Sequence, residues 1–201
     1  MEKIDLVKTD KNYYSAKQTP EIREYSEYQF LSIEGKGEPA GETFIASVKA
    51  LYPLAYGVKK ISKKKGIDFG VPKLEGLWWV NSDKHALEVP RNEWHWKLMI
   101  RMPSFVNIEF VQEAKVEVIE KKKLELVKNI HLINLTEGTC VQALHVGPYS
   151  TEHHTIQKME DLVLEKGLKI QGLHHEIYLS DPTKTSPEKL KTILRYPVVK
   201  N

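Results

Sequence analysis

Apolar and polar positions alternate most clearly along the segment Gly172–Pro182. Strand geometry would place on one face Leu173, His175, Ile177 and Leu179, and on the opposite face His174, Glu176, Tyr178 and Ser180. The first face is typical of a core. If protein also covers the second face, Glu176 is a carboxylate in a poorly hydrated cavity, and we expect the chemistry of this protein there.

Hydrophobic periodicity predicts a β-α-β-β unit in the first half of the chain. Alternation predicts a strand over 28–34, which the glycines at 35 and 37 end. Apolar residues at three- and four-residue spacing from Phe44 to Val58 predict a helix. Two segments rich in aromatic and branched residues, 74–80 and 93–101, predict two further strands.

A second unit of the same kind is predicted after a connector. Asn107 is expected to cap a connecting helix that runs through Val118. Beyond it, the pattern predicts a strand over 139–146, a helix from about 150 to 167, the Gly172–Pro182 strand and a last strand over 190–198.

The two units also share short sequence matches. Gly76-Leu77 lies 96 positions before Gly172-Leu173, and Lys97–Pro103 lies 94 positions before Lys191–Pro197. Both matches indicate an internal duplication. By the first offset, Trp78 takes the place of His174, so an aromatic residue of one unit would correspond to polar groups of the other.

The predicted fold class is therefore α+β, with two β-α-β-β units forming a pseudo-symmetric antiparallel sheet structure around a central ligand cavity. We expect an N-terminal arm at 1–27 and a single domain over 28–199. This domain comprises a first repeat at 28–103, a connector with a helix at 104–137 and a second repeat at 138–199. The cavity is expected at the seam between the repeats, with Trp78 and Glu176 both reachable from it.

Composition narrows the class of protein. The chain has 201 residues, of which 41% are hydrophobic and 28% charged, with a net charge of +3. The basic clusters at 63–65 and 121–123 adjoin predicted helices, which favours solvated helix ends over a nucleic-acid surface. A single cysteine, Cys140, excludes an intrachain disulfide. Without an apolar stretch of about 20 residues or a signal-peptide pattern, we expect a cytoplasmic protein with neither a membrane nor a nucleic-acid partner.

Five motifs together resemble the GyrI-like small-molecule-binding family, which is related to the SOUL fold. The resemblance covers about residues 28–199 and is carried by Leu74–Trp79, Trp94–Pro103, His145–Tyr149, His174–Pro182 and Arg195–Val198. It implies two β-α-β-β halves around a ligand cavity, with a buried glutamate that Glu176 matches.

The resemblance also implies a choice between functions. Members fused to helix-turn-helix domains sense lipophilic and cationic drugs, whereas we expect this chain to be a standalone version. Standalone members bind planar xenobiotics or gyrase, or hydrolyse the cyclopropane ring of DNA-alkylating natural products similar to yatakemycin and CC-1065. The Trp-rich runs place this chain nearer the hydrolases. A gyrase partner rests on the family name alone.

Such a hydrolysis assigns roles to particular side chains. Ring opening needs water at the strained carbon and stabilisation of the phenolate that develops at the carbonyl oxygen. Glu176 would deprotonate the water, and one of three phenols would donate to the oxygen, namely Tyr149, Tyr178 or Tyr196. The planar ligand would bind against aromatic groups, which we predict to be Trp78, Trp94, Trp96, His174 and Tyr196. This chemistry requires no metal or other cofactor.

Structural alternatives exist for each of these residues. Trp94 and Trp96 could be core residues, as large aromatics in strands usually are. Glu176 could form an ion pair with Arg101 or Arg195. Adjacent histidines of a strand point to opposite faces and no third ligand lies at zinc spacing, which argues against a metal site. A binding module without catalysis therefore remains the alternative to a hydrolase.

Overall fold

The computed structural model describes residues 3–84 and 86–201. The strands are β1 (Lys3–Ile4), β2 (Glu21–Lys36), β3 (Asp68–Phe69), β4 (Leu74–Trp79), β5 (His95–Met102), β6 (His131–Val146), β7 (Leu168–Ile170), β8 (His174–Tyr178) and β9 (Lys191–Lys200). The α-helices are α1 (Leu6–Thr9), α2 (Lys11–Tyr14), α3 (Glu42–Lys64), α4 (Ile108–Lys122) and α5 (Glu152–Glu165). Short 3-10 turns lie at Ala86–Glu88, Arg91–Glu93, Glu125–Asn129, Tyr149–Thr151 and Pro187–Lys189.

These elements form two compact units. Unit 1 comprises the described part of Met1–Thr9 together with Tyr28–Leu135, and unit 2 comprises Asp10–Glu27 together with Thr136–Asn201. Both units pair their main strands antiparallel, so the predicted α+β class is confirmed.

Unit 1 is a β-α-β-β unit whose central strand is β5. Leu98 of β5 pairs with Ile33 of β2 on one side and with Gly76 of β4 on the other. One face of this sheet packs against α3, whose buried residues Leu51, Leu54, Ala55 and Val58 follow helical spacing. The predicted cap of α4 is confirmed, because the Asn107 side chain accepts a hydrogen bond of 3.0 Å from the Phe110 backbone N–H.

Unit 2 repeats this topology with β9 at its centre. Thr192 of β9 pairs with His145 of β6 on one side and with Tyr178 of β8 on the other. A smaller core joins α5 to one face of the sheet through Val141, Ala143, Met159, Val163, Leu194 and Val198. Leu98 and Thr192 therefore lie on equivalent strands, as the internal duplication predicts.

The register corrects one detail of the duplication. In unit 1 the residue opposite Leu98 is Gly76, whereas in unit 2 the residue opposite Thr192 is Tyr178 and not Gly172. The Gly-Leu match precedes β8 instead of lying within it, so the predicted equivalence of Trp78 with His174 is wrong. The observed register differs from the predicted one by an even number of residues, because Tyr178 takes the position expected for Gly172. Strand alternation therefore still places His174 and Glu176 on the predicted face of the sheet.

The structure also extends several predicted elements. Strand β2 begins at Glu21, ahead of the predicted start at 28, and β6 begins at His131. The segment 1–27, predicted as an arm, contains β1, α1 and α2. Tyr13 and Tyr14 are buried there. The strand predicted within Gly172–Pro182 is confined to β8.

A network of buried polar groups lies on the face of the unit 2 sheet opposite α5. Arg195 Nη1 donates to Glu137 Oε2 at 2.9 Å, and His175 Nδ1 lies 2.9 Å from Glu137 Oε1. Arg195 Nη2 also donates to Gln142 Oε1 at 3.2 Å, and its guanidinium lies 3.7 Å from the centre of the Tyr25 ring. Burial would raise the pKa of Glu137, but His175 and Arg195 outweigh it and lower that pKa to about 2.

This network joins the three main strands of unit 2, because Glu137 and Gln142 belong to β6, His175 to β8 and Arg195 to β9.

We predict that Arg195→Met destabilises the protein by about 3–5 kcal/mol, since it leaves the Glu137 carboxylate buried beside a histidine alone. Urea unfolding of the full chain measures this. The double variant Glu137→Gln/Arg195→Met should lose less stability than the two single variants added together. A loss below about 1 kcal/mol for Arg195→Met would contradict the structural role of the network.

Candidate functional site

Strand β8 presents His174, Glu176 and Tyr178 on the face of the unit 2 sheet that α5 covers. Glu176 pairs across the sheet with Leu194, and Leu194 packs in the core beneath α5. The Glu176 side chain is 13% exposed and the His174 side chain 14% exposed. His174 Nε2 lies 3.1 Å from Glu176 Oε1, within hydrogen-bonding distance. Glu176 is thus largely removed from water, as the sequence predicts.

A second glutamate, Glu152, lies beside these two residues. It is the first residue of α5 and is only 7% exposed, and its Oε1 atom has no hydrogen-bond partner among the described residues. One ligand atom from each of Glu152, His174 and Glu176 lies within 4.8 Å of the others. The sequence analysis missed Glu152.

The turn that precedes α5 holds Glu152 in place. His145, on β6, brings its Nδ1 atom to 2.9 Å from Thr155 Oγ1 and its Nε2 atom to 3.2 Å from the Pro148 carbonyl oxygen. Thr151 also donates to that carbonyl at 2.8 Å. These contacts tie the start of α5 to the sheet, so that a side chain in the first helical turn points back towards β8.

Burial determines the charge of Glu152. It raises the pKa of the Glu152 carboxyl far above the usual value of 4.5, and the charge of Glu176 raises it further. A helix N-terminus favours a carboxylate, but this effect is worth only about 0.3–2 kcal/mol. Burial and the neighbouring charge of Glu176 therefore both favour the neutral acid form of Glu152.

The three predicted tyrosines lie on elements of the same unit. The rings of Tyr149 and Tyr178 meet edge to face with centres 6.0 Å apart, and the Tyr196 ring lies 4.8 Å from the His174 ring. Tyr149 is 40% exposed, and its partial burial, and secondly the charge of Glu176, raises its pKa to about 12. Burial also raises the pKa of Tyr196. Both phenols keep their protons at neutral pH and can donate hydrogen bonds.

No lysine or arginine of the described residues forms an ion pair with Glu152 or Glu176. Arg195, one of the two partners considered for Glu176, is bound by Glu137 on the opposite face of the sheet. The histidine next to Glu176 in the sequence, His175, is also bound there. The alternative in which Arg195 neutralises Glu176 is therefore wrong.

The predicted tryptophans belong to unit 1. Trp78 is 6% exposed, stacks on Phe44 with ring centres 5.8 Å apart and meets the Trp94 ring at 6.2 Å. Trp94 donates from its indole N–H to the Val89 carbonyl at 3.1 Å. Trp96 is fully buried in the core. The assignment of these three residues to ligand binding stays a prediction.

The same cluster could in principle hold a metal ion, since three potential ligands lie together in it: Glu152, His174 and Glu176. A histidine that ligates a metal usually donates its other ring N–H to an acceptor. His174 Nδ1 is buried and has no hydrogen-bond partner among the described residues. The described residues thus supply His174 with no acceptor of the kind that usually orients a metal-binding histidine.

Two surface grooves lie elsewhere in the chain. One, of about 410 Å³, is lined by residues of α3 and α4 in unit 1, including Tyr52, Tyr56 and Lys121. The other is lined in unit 2 by residues that include Pro20 and Leu162. Neither groove is lined by a residue that we predict to act in catalysis.

Cys140 is buried, as expected of a small structural thiol. Burial, and secondly the charge of Glu137, raises the pKa of its thiol to about 12. It is therefore not a reactive nucleophile.

Together, the two β-α-β-β units define an α+β protein whose unit 2 encloses two neighbouring carboxyl groups. The sequence profile of the GyrI-like small molecule binding domain matches residues 18–199, and the chain belongs to this family. A search of curated proteins found no match.

Several solved structures are similar to this chain. An uncharacterized conserved protein from Listeria innocua is 40% identical, with a TM-score of 0.92, over 98% of this chain and all of that one. A hydrolase from Listeria innocua is also 40% identical over the same shares, with a TM-score of 0.88. The EcmrR C-terminal domain, at 15% identity and a TM-score of 0.56 over 90% of this chain and 98% of that one, shares the fold.

None of the helices in the described part of the chain combines the length and apolarity needed to cross a bilayer.

The neutral state of Glu152 has a measurable consequence for stability. The folded state keeps this proton above pH 4.5, whereas the unfolded chain releases it, so stability falls as pH rises. We predict that Glu152→Gln, which has no proton to lose, becomes progressively more stable than the parent between pH 5 and pH 9, by up to about 1.4 kcal/mol per pH unit. Urea unfolding at several pH values measures this difference.

Glu165→Gln provides the matched control, because Glu165 is on the same helix and its side chain is 68% exposed. Its stability relative to the parent should not vary over this range. A constant difference between Glu152→Gln and the parent from pH 5 to pH 9 would show that Glu152 is ionised in the folded protein.

Proposed function

We propose that this protein binds planar lipophilic small molecules and hydrolyses the cyclopropane ring of DNA-alkylating genotoxins, with Glu176 activating the water. The observation that carries the proposal is the Glu176 carboxylate, which is enclosed, hydrogen-bonded to His174 and without a lysine or arginine partner among the described residues. A carboxylate that no counter-ion neutralises is available as a base. The 40% identity to a hydrolase supports an enzymatic role.

The proposed reaction adds one water across a strained carbon–carbon bond. Glu176 accepts a proton from water while the water oxygen bonds to the cyclopropane methylene carbon. The ring bond breaks, and its electron pair moves through the conjugated dienone to the carbonyl oxygen, which becomes a phenolate. Solvent protonates the phenolate, either directly or through a tyrosine that solvent then reprotonates, and the proton on Glu176 returns to solvent.

The tyrosines would stabilise the negative charge that develops on the substrate carbonyl oxygen. Tyr149 and Tyr196 have raised pKa values and so remain hydrogen-bond donors at neutral pH. A phenol that donates to the carbonyl oxygen stabilises the negative charge that develops there. Tyr178, whose ring contacts Tyr149, is the third candidate. Single Tyr→Phe variants would identify which of these three tyrosines donates to the product.

The alternative is a module that binds or senses a xenobiotic without chemistry. The family's description as a small molecule binding domain favours it, since binding alone would satisfy that description. Both versions assume a cytoplasmic setting, which suits a chain with one buried cysteine. Neither requires a nucleic-acid, membrane or gyrase partner.

Replacing the proposed base separates these alternatives. Glu176→Gln keeps the shape and a hydrogen-bonding group but removes the basicity, so turnover of a cyclopropane-containing alkylator should fall by roughly 100-fold or more. Binding of an unreactive planar analogue should change by only a few-fold. Mass spectrometry of the hydrated, ring-opened product measures turnover, with Glu165→Gln as the surface control. A parent protein that binds the alkylator and returns it unhydrated would establish the binding module instead.

The proposed aromatic contact has its own test. Trp78→Leu should weaken binding of a planar aromatic ligand by roughly 2- to 13-fold, which corresponds to a stacking interaction of about 0.5–1.5 kcal/mol. Trp79→Leu is the matched control, because the adjacent Trp79 points to the opposite face of β4 and stacks on His95. Fluorescence titration with both variants measures the affinities. Equal effects of the two changes would remove Trp78 from the binding site.

A further inference from the structure

Glu152 has no role in the proposed hydrolysis, yet it lies beside Glu176, the proposed base. Its carboxyl group and that of Glu176 each offer an oxygen within 4.8 Å of the other. Two hydrogen bonds of about 2.7–2.8 Å that meet at one water molecule span a similar distance. The two oxygens are therefore no further apart than a single bridging water allows.

Glu152 is also incompletely satisfied. Its Oε1 atom is buried and has no hydrogen-bond partner in the described part of the chain, although a buried polar atom normally has one. The titratable groups near Glu152 and Glu176 include residues from the strands and the turn of unit 2, namely His174 and Tyr178 on β8, Tyr196 on β9, His145 on β6 and Tyr149 in the turn. None of these is a lysine or an arginine.

We propose that Glu152 and Glu176 form a carboxylic acid–carboxylate pair that holds the reacting water between its two members. In this pair, Glu152 is the member that carries the proton. Two carboxylates this close in a poorly hydrated site cannot both ionise without a counter-ion, and burial penalises the charge on Glu152 more because Glu176 has His174 as a hydrogen-bond partner.

The pair gives the proton transfer a direction. The water would donate one hydrogen to the Glu176 carboxylate and the other to a carboxyl oxygen of Glu152, which leaves a lone pair free to attack the substrate. Because Glu152 is already protonated, it is a weak base, and the proton passes to Glu176 alone. Glu152 is thus a positioning residue, and this role rests on the proposed hydrolase function, whereas the protonation state of the pair does not.

NMR of protein labelled with ¹³C at the glutamate side-chain carboxyl tests the pair without any substrate. We expect one carboxyl signal that remains protonated at pH 7, disappears in Glu152→Gln and titrates at lower pH in Glu176→Gln, because the negative charge of Glu176 has then been removed. A Glu152 signal that titrates near the ordinary glutamate pKa of about 4.3 overturns the proposal.

Two near-isosteric variants test the positioning role. Glu152→Gln keeps a neutral oxygen acceptor and should lower turnover by a few-fold, whereas Glu152→Leu removes the acceptor and should lower it by at least ten times more. Thermal unfolding checks that both variants are folded. Equal losses in the two variants overturn the role of Glu152 as a neutral acceptor. An inactive parent protein overturns the hydrolase function and the reacting role of the water, while the NMR titration still decides whether the pair exists.

Discussion

The alternation of side chains along β8 and β9 is the constraint on which the site depends. Neighbouring residues of a strand point to opposite faces, so His175 and Arg195 lie on one face of the unit 2 sheet, and Glu176 and Tyr196 on the other. On the first face, Glu137 is neutralised by a histidine and an arginine. On the second, neither Glu152 nor Glu176 has a lysine or arginine partner among the described residues, and Glu176 is hydrogen-bonded to His174.

The two faces of the unit 2 sheet therefore carry glutamates with different roles: Glu137 stabilises the sheet, and Glu176 is the proposed base. The ion pairs of Glu137 hold β6, β8 and β9 together and leave its carboxylate unavailable as a base. The opposite face is free to keep a carboxylate whose negative charge is not cancelled. One strand thus carries both a residue that stabilises the sheet, His175, and, next to it, the proposed base, Glu176.

Much of this arrangement follows from the sequence, because it depends on local patterns. Hydrophobic periodicity predicts both β-α-β-β units, a capping residue predicts the start of α4, and alternation predicts that Glu176 shares a face with His174 and Tyr178. These features depend on neighbours within a few residues. They are also the features that the resemblance to the family reinforces.

The features that the sequence does not reveal depend on contacts between distant segments. An acidic residue in the first turn of a helix is common on any protein surface, so nothing in the Thr151-Glu152-His153 run marks Glu152 as buried. Its position depends on how His145 ties the turn to the sheet. The register of β8 on β9 likewise depends on pairing across the sheet, and short letter matches cannot supply it.

A crystal structure of the protein with the hydrated, ring-opened product tests the central claim most directly. The account predicts that the newly introduced hydroxyl oxygen lies at hydrogen-bonding distance, about 2.6–3.2 Å, from the Glu176 carboxyl group, on the face of β8 that carries His174 and Tyr178. A product bound in a surface groove, or one whose new hydroxyl lies far from Glu176, would contradict it.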